Sequence, residues 1–101
     1  MPEKEFLIWI EAGKILAWRD IRGGSVTAFR VVLLVEIDGE THCVARYDSA
    51  HGTPHQDILG RRKGTIEKHW FYQSTYESVF AYAIRDFETH AEDYIRAYWQ
   101  N

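Results

Sequence analysis

Hydrophobic and polar positions divide the chain into two regimes. As far as Tyr72 the apolar residues come in short β-branched and aromatic runs separated by Gly-containing turns, and from Tyr76 onward they recur at three- and four-residue spacing. The first regime predicts strands. Phe6 to Ile10 and Lys14 to Ile21 flank a turn at Glu11-Ala12-Gly13, and Gly23-Gly24 ends the second run. A helix over this region competes, because Phe6, Trp9, Ile10, Leu16 and Ala17 also form a stripe; Gly13 in its middle favours two strands. Val26 to Ile37 (VTAFRVVLLVEI) is a third strand, and Asp38-Gly39 is a hairpin signal before Thr41 to Asp48 (THCVARYD). A plain two-residue loop would put Val31, Leu33 and Val35 on the face of Arg46, Val44 and His42. One extra residue in the loop instead aligns them with Cys43, Ala45 and Tyr47, so a bulged turn is expected, with Arg30, Glu36, His42, Arg46 and Asp48 on the other face. Thr65 to Tyr72 (TIEKHWFY) predicts one more strand.

The second regime is a helix. Ser74-Thr75-Tyr76-Glu77 reads as a capping box, with the Ser74 hydroxyl as cap and Glu77 reaching back. Tyr76, Val79, Phe80, Ala83, Phe87, Ala91, Tyr94, Ile95 and Tyr98 form one apolar stripe, opposite Arg85, Glu88, Glu92, Asp93 and Arg96. Strands followed by one long helix predict a single α+β domain over residues 1–101. Its sheet is an antiparallel meander of four to five strands, covered on one face by the C-terminal helix.

Composition narrows the function classes. Hydrophobic residues make up 46% and charged residues 27% of the 101 positions, the balance of a folded domain with one core. Aromatics at 15% exceed what one small core readily hides, so a self-association surface is expected, with Trp9, Trp18 and Trp99 as contacts. A net charge of -3 and a pI near 5.9 argue against a whole-surface nucleic-acid binder. The charge is unevenly spread, however. From His42 to Trp70, Arg46, Arg61, Arg62, Lys63 and Lys68 outnumber Asp48, Asp57 and Glu67, whereas the helix is acidic. Cys43 is the one cysteine, in an apolar strand pattern that predicts a buried, inert thiol. MPEKEFLIWIEAGK has neither a cleavage pattern nor a spanning run, so no membrane association is expected and the cytoplasm is the expected compartment.

Candidate chemistry concentrates in RYDSAHGTPHQDILG, Arg46 to Gly60, within a Gly- and Pro-broken stretch from Asp48 to Gly64 that is longer than an ordinary connection. His51 and His55 could act as base and acid on a scissile phosphodiester without a metal or other cofactor. Asp57 or Asp48 could orient an imidazole. Arg46, Arg61, Arg62 or Lys63 could hold phosphate oxygens, and Tyr47 with Trp70 could stack a base of single-stranded RNA. Two other readings stand beside this one. Gly52 and Pro54 remove the helix that usually makes a four-residue histidine spacing metal-binding, although a folded loop could still converge His51, His55 and an Asp or His42 on a divalent ion. In the plainest reading, Asp48 caps a turn, Arg46 pairs with it, and the histidines satisfy loop carbonyls in a non-catalytic interaction module.

The element order from Phe29 to Phe87, with FRVVLLVEI, RYDSAHGTPHQD and AIRDFETH, resembles small prokaryotic proteins of the TumE-like toxin family. It resembles more closely a sister group carrying R-Y-D-x-A-H-G-x-x-H-x-D. The resemblance implies a cytosolic protein that cleaves RNA and is paired with an antitoxin-like partner protein. Tyr47-Asp48 would match the strand end of that pattern, and His51, His55 and Asp57 its polar loop. The chain departs from the toxins in having AHGTPH where they carry a more variable, more basic loop.

Overall fold

The computed structural model describes residues 3–101, in which six antiparallel strands follow one another across a single sheet before the chain turns into one long helix. The strands are β1 (Glu3–Ile10), β2 (Gly13–Arg22), β3 (Ser25–Ile37), β4 (Glu40–Asp48), β5 (His55–Gly60) and β6 (Gly64–Trp70). The helix α1 (Tyr76–Gln100) lies across one face of the sheet and leaves the other face open. Among the described residues no helix is long and apolar enough to cross a membrane.

Period-two alternation builds the core. Phe29, Val31, Leu33 and Val35 of β3 point under the helix with Ile15, Ala17, Val44, Ala45 and Tyr47, and they meet Val79, Ala83, Phe87, Ala91 and Tyr98 from the apolar stripe of α1. Trp9, 71% exposed, and Leu7, 50% exposed, lie on the uncovered face of the edge strand β1.

Three details differ from the sequence expectation. First, the Asp38-Gly39 turn is the plain two-residue form, with φ of 51° and 80°, and the extra residue lies further along. Leu34 pairs with Cys43 and Leu33 with Ala45, so Val44 is the bulged residue. The bulge still sets Val31 beside Tyr47, as face matching requires. It also sends His42 under the helix, where Nδ1 lies 2.7 Å from the Tyr98 hydroxyl, rather than to the face of Arg46. Second, the sheet has six strands because His55–Gly60 pairs on both sides instead of forming loop. Third, Thr75 rather than Ser74 caps the helix, its Oγ1 accepting from the Ser78 amide at 3.1 Å.

Gly13 begins β2 where the strand presses on β3. A Cβ there would lie 2.3 Å from the Leu34 carbonyl oxygen and 3.1 Å from Val35 Cγ1, so the two strands would have to separate. Gly13→Ala is expected to cost about 1–3 kcal/mol, the usual range for overpacking. The measurement is the urea midpoint, and a wild-type midpoint would contradict this packing.

Candidate functional site

Two tripeptides build the site from opposite strands. Arg46-Tyr47-Asp48 ends β4 and His55-Gln56-Asp57 begins β5, and they pair antiparallel as Arg46 with Asp57, Tyr47 with Gln56 and Asp48 with His55. Residues opposite one another in such a pair share a face, and neighbours along a strand alternate. The four outer residues therefore gather on the open face of the sheet, and Tyr47 and Gln56 pass through to the helix side. Neighbouring strands complete the group: β6 sets Lys68 beside Asp57 and Trp70 beside His55, and β3 sets Arg30 beside Asp48.

Asp57, only 1% exposed, lies at the centre. Arg46 Nε is 3.0 Å from its Oδ2 and Lys68 Nζ is 3.0 Å from its Oδ1, so each carboxylate oxygen faces one cation. Burial works to raise the Asp57 pKa, but Lys68 and Arg46 together outweigh it and hold the carboxyl below its ordinary value. His55 Nδ1–H donates to the Thr53 carbonyl at 3.3 Å. Its Nε2 faces Asp48 Oδ1 at 3.3 Å and Asp57 Oδ2 at 3.6 Å, and neither contact has hydrogen-bond geometry. Asp48 Oδ1 accepts from the Ala50 amide at 2.9 Å.

These groups line an open cleft of about 360 Å³ with His51 among its walls. His51 is exposed and left-handed, with φ of 68°, in the 3₁₀ turn Ala50–Gly52. The Tyr76 hydroxyl donates to the Gly52 carbonyl at 2.6 Å and ties this turn to the helix start. Trp70 packs 4.8 Å from the His55 ring and stacks on exposed Tyr72 at 6.2 Å and 21°, making an aromatic shelf beside the cleft. Cys43 also lines the cleft; burial pushes its thiol pKa up, which favours the unreactive protonated form.

Four of the sequence candidates, Arg46, Asp48, His55 and Asp57, thus meet in one cluster, with His51 on the cleft wall. Two are elsewhere. Tyr47 is 1% exposed beneath the sheet, so it cannot stack a base. Lys63 lies in the turn at the far end of the β5–β6 hairpin, its amide donating to the Asn101 carbonyl at 2.9 Å and its Nζ to Asn101 Oδ1 at 3.4 Å. That end is about 16 Å of strand away from His55. Lys68 and Arg30 supply the cleft's additional positive charge.

Behind the cleft, Asp86 of α1 organises the buried polar groups. Its Oδ2 accepts from the Tyr47 hydroxyl at 2.7 Å and from the Tyr94 hydroxyl, and His90 Nδ1 lies 3.0 Å from its Oδ1. Gln56 Nε2 donates to Tyr94 Oη at 2.7 Å, so the middle residues of both tripeptides are anchored to the helix. The sequence did carry a signal for this network: Asp86 falls within the apolar stripe, one position before Phe87 and eight before Tyr94. Burial first, and the hydrogen bond to Asp86 next, raise the pKa of both Tyr47 and Tyr94 above its ordinary value. Above pH ~10 the unfolded chain therefore loses phenolic protons that the folded chain keeps, and stability falls as pH rises. Each such group contributes a slope of about 1.4 kcal/mol per pH unit. Tyr94→Phe is expected to flatten the alkaline limb of a stability–pH curve by about that much, and an unchanged slope would remove Tyr94 from the account.

Over residues 1–101 the chain matches the model of a family described as a domain of unknown function (DUF7718), and it belongs to that family. No curated protein and no solved structure matches it.

Proposed function

We propose that the cleft binds the sugar–phosphate backbone of single-stranded RNA and cleaves it by histidine acid–base chemistry without a metal. The observation that carries this reading is the β4–β5 register, which sets Arg46, Asp48, His55 and Asp57 in one cleft with Lys68, Arg30 and His51. The acidic balance of the whole chain is locally reversed there. RNA fits because its 2′-hydroxyl supplies an internal nucleophile. His51 at the rim takes the 2′-proton, the oxygen attacks phosphorus, and the bond to the 5′-oxygen breaks as His55 gives that oxygen a proton. Arg46, Lys68 and Arg30 hold the non-bridging oxygens as charge develops, and the Trp70–Tyr72 shelf stacks a flanking base. As the TumE-like resemblance implies, this activity belongs in the cytoplasm under the restraint of a partner protein.

The test is cleavage of an RNA oligonucleotide and of the DNA of the same sequence, both in EDTA. Cleavage of RNA alone, weakened by Arg46→Gln and by Lys68→Gln and by added salt, supports the reading. Equal cleavage of DNA, or activity that EDTA removes, contradicts it.

A second reading is favoured by Trp9 and Leu7, large apolar groups exposed together on edge strand β1. In it, two copies of the chain associate through this strand and the cleft is structural. Sedimentation of wild type against Trp9→Glu is its measurement, and a monomer at all concentrations ends it.

A further inference from the structure

We propose that Asp48, His55 and Asp57 form a binding site for a divalent transition-metal ion of the zinc class. This inference is independent of the RNA reading. It contradicts the expectation that the cleft holds no metal, and it rests on how three buried groups converge.

The spacing is the first argument. One ligand atom from each residue lies within 4.8 Å of the others, and all three residues are buried. Zinc bonds to imidazole nitrogen and carboxylate oxygen are about 2.0–2.2 Å, so neighbouring ligands of a tetrahedral ion stand about 3.3–3.6 Å apart. The His55 Nε2 distances to Asp48 Oδ1 and Asp57 Oδ2 are 3.3 Å and 3.6 Å.

The orientation of the ring is the second. Nδ1–H is given to the Thr53 carbonyl, so the ring directs Nε2 at two carboxylates. Metal-ligating histidines show this same arrangement, the outer nitrogen held by a carbonyl and the inner one turned to the ion.

Asp57 supplies the third argument. Its carboxylate is buried, and the cations that pair with its two oxygens come from side chains that are 42% and 40% exposed. Arg46 and Lys68 can therefore stay as outer partners or swing to solvent when an ion arrives. The ligands stand on two paired strands pinned from behind by Asp86, so the site is assembled before binding. One nitrogen and two oxygens suit zinc, cobalt or manganese, whereas calcium asks for six or more oxygens. Three protein ligands leave the fourth position to water. An ion here occupies the nitrogen that proton transfer needs, so zinc is expected to inhibit the RNA cleavage proposed above, an expectation that rests on that reading.

The experiment is a cobalt(II) titration of the full chain followed by visible absorption. A four-coordinate d–d band that zinc displaces, weakened about tenfold or more in apparent affinity by Asp48→Asn and by Asp57→Asn and unchanged by His69→Ala, is the expected result. Near-UV circular dichroism confirms that each variant is folded. Should one ligand variant unfold, the other decides, together with the rise in wild-type melting temperature that a tight zinc site must produce. Absence of a band at saturating cobalt, or a band indifferent to both ligand variants, overturns the site. Cleavage is measured separately with and without zinc, so inactive RNA chemistry does not decide the metal result.

Discussion

Alanine at His55 is expected to lower the proposed RNA cleavage by about 10²- to 10⁴-fold, the range over which a positioned acid or base contributes. The loss of activity comes with a loss of stability. The ring is 3% exposed, packed on Trp70 and bonded to the Thr53 carbonyl, so its removal leaves a void and an unpaired acceptor and costs about 1–3 kcal/mol. The sequence analysis gives His51 and His55 equal standing as acid and base. In the structure they differ: His51 is exposed on its turn, so His51→Ala should lose cleavage with the melting temperature unchanged. Both variants are assayed well below their melting temperatures, with the folded fraction measured in the same tube. If folded His55→Ala cleaves at the wild-type rate, acid–base chemistry at this ring is wrong.

Asp86→Ala should be the most destabilising change of a polar residue on the helix. The carboxylate accepts from the buried Tyr47 phenol and the half-buried Tyr94 phenol between helix and sheet, and its loss removes the charged acceptor that both hydroxyls share. An orphaned buried donor costs about 1–3 kcal/mol, so the pair accounts for about 2–5 kcal/mol. For a domain of this size that is a fall of more than about 10 °C in melting temperature. Tyr47→Phe and Tyr94→Phe should each cost less in the Asp86→Ala background than in wild type, because the bond they delete has already gone. Additive costs, or a change under about 0.5 kcal/mol in Asp86→Ala itself, would show that the network carries no weight.

The elements written in ordinary patterns were legible in the sequence. The alternation of β3 and the helical stripe from Tyr76 to Tyr98 each follow one period, and the structure has them where the periods put them; the Asp38-Gly39 turn stands at its expected place but without the expected bulge. The strand β5 did not follow one. His55 and Asp57 face a polar cluster while Gln56 bonds to Tyr94, so both of its faces carry polar residues and no apolar alternation marks it. Tyr47 is a different case: face matching already put it on the apolar side with Val31, opposite Arg46 and Asp48, and the stacking role given to it did not fit that face. Lys68 could be assigned to the cleft only once the β5–β6 pairing was known, whereas the hairpin register already put Arg30 on the face of Arg46 and Asp48.

The pairing of Arg46-Tyr47-Asp48 with His55-Gln56-Asp57 makes cleft and core two sides of one ladder. Inserting or deleting one residue between the two tripeptides' paired positions, with no bulge to take it up, would turn the strand over, pushing its charges under the helix and its anchor into water. An error of length there reaches both faces at once. The chemistry on one side and the foldability on the other therefore stand or fall as one inherited unit.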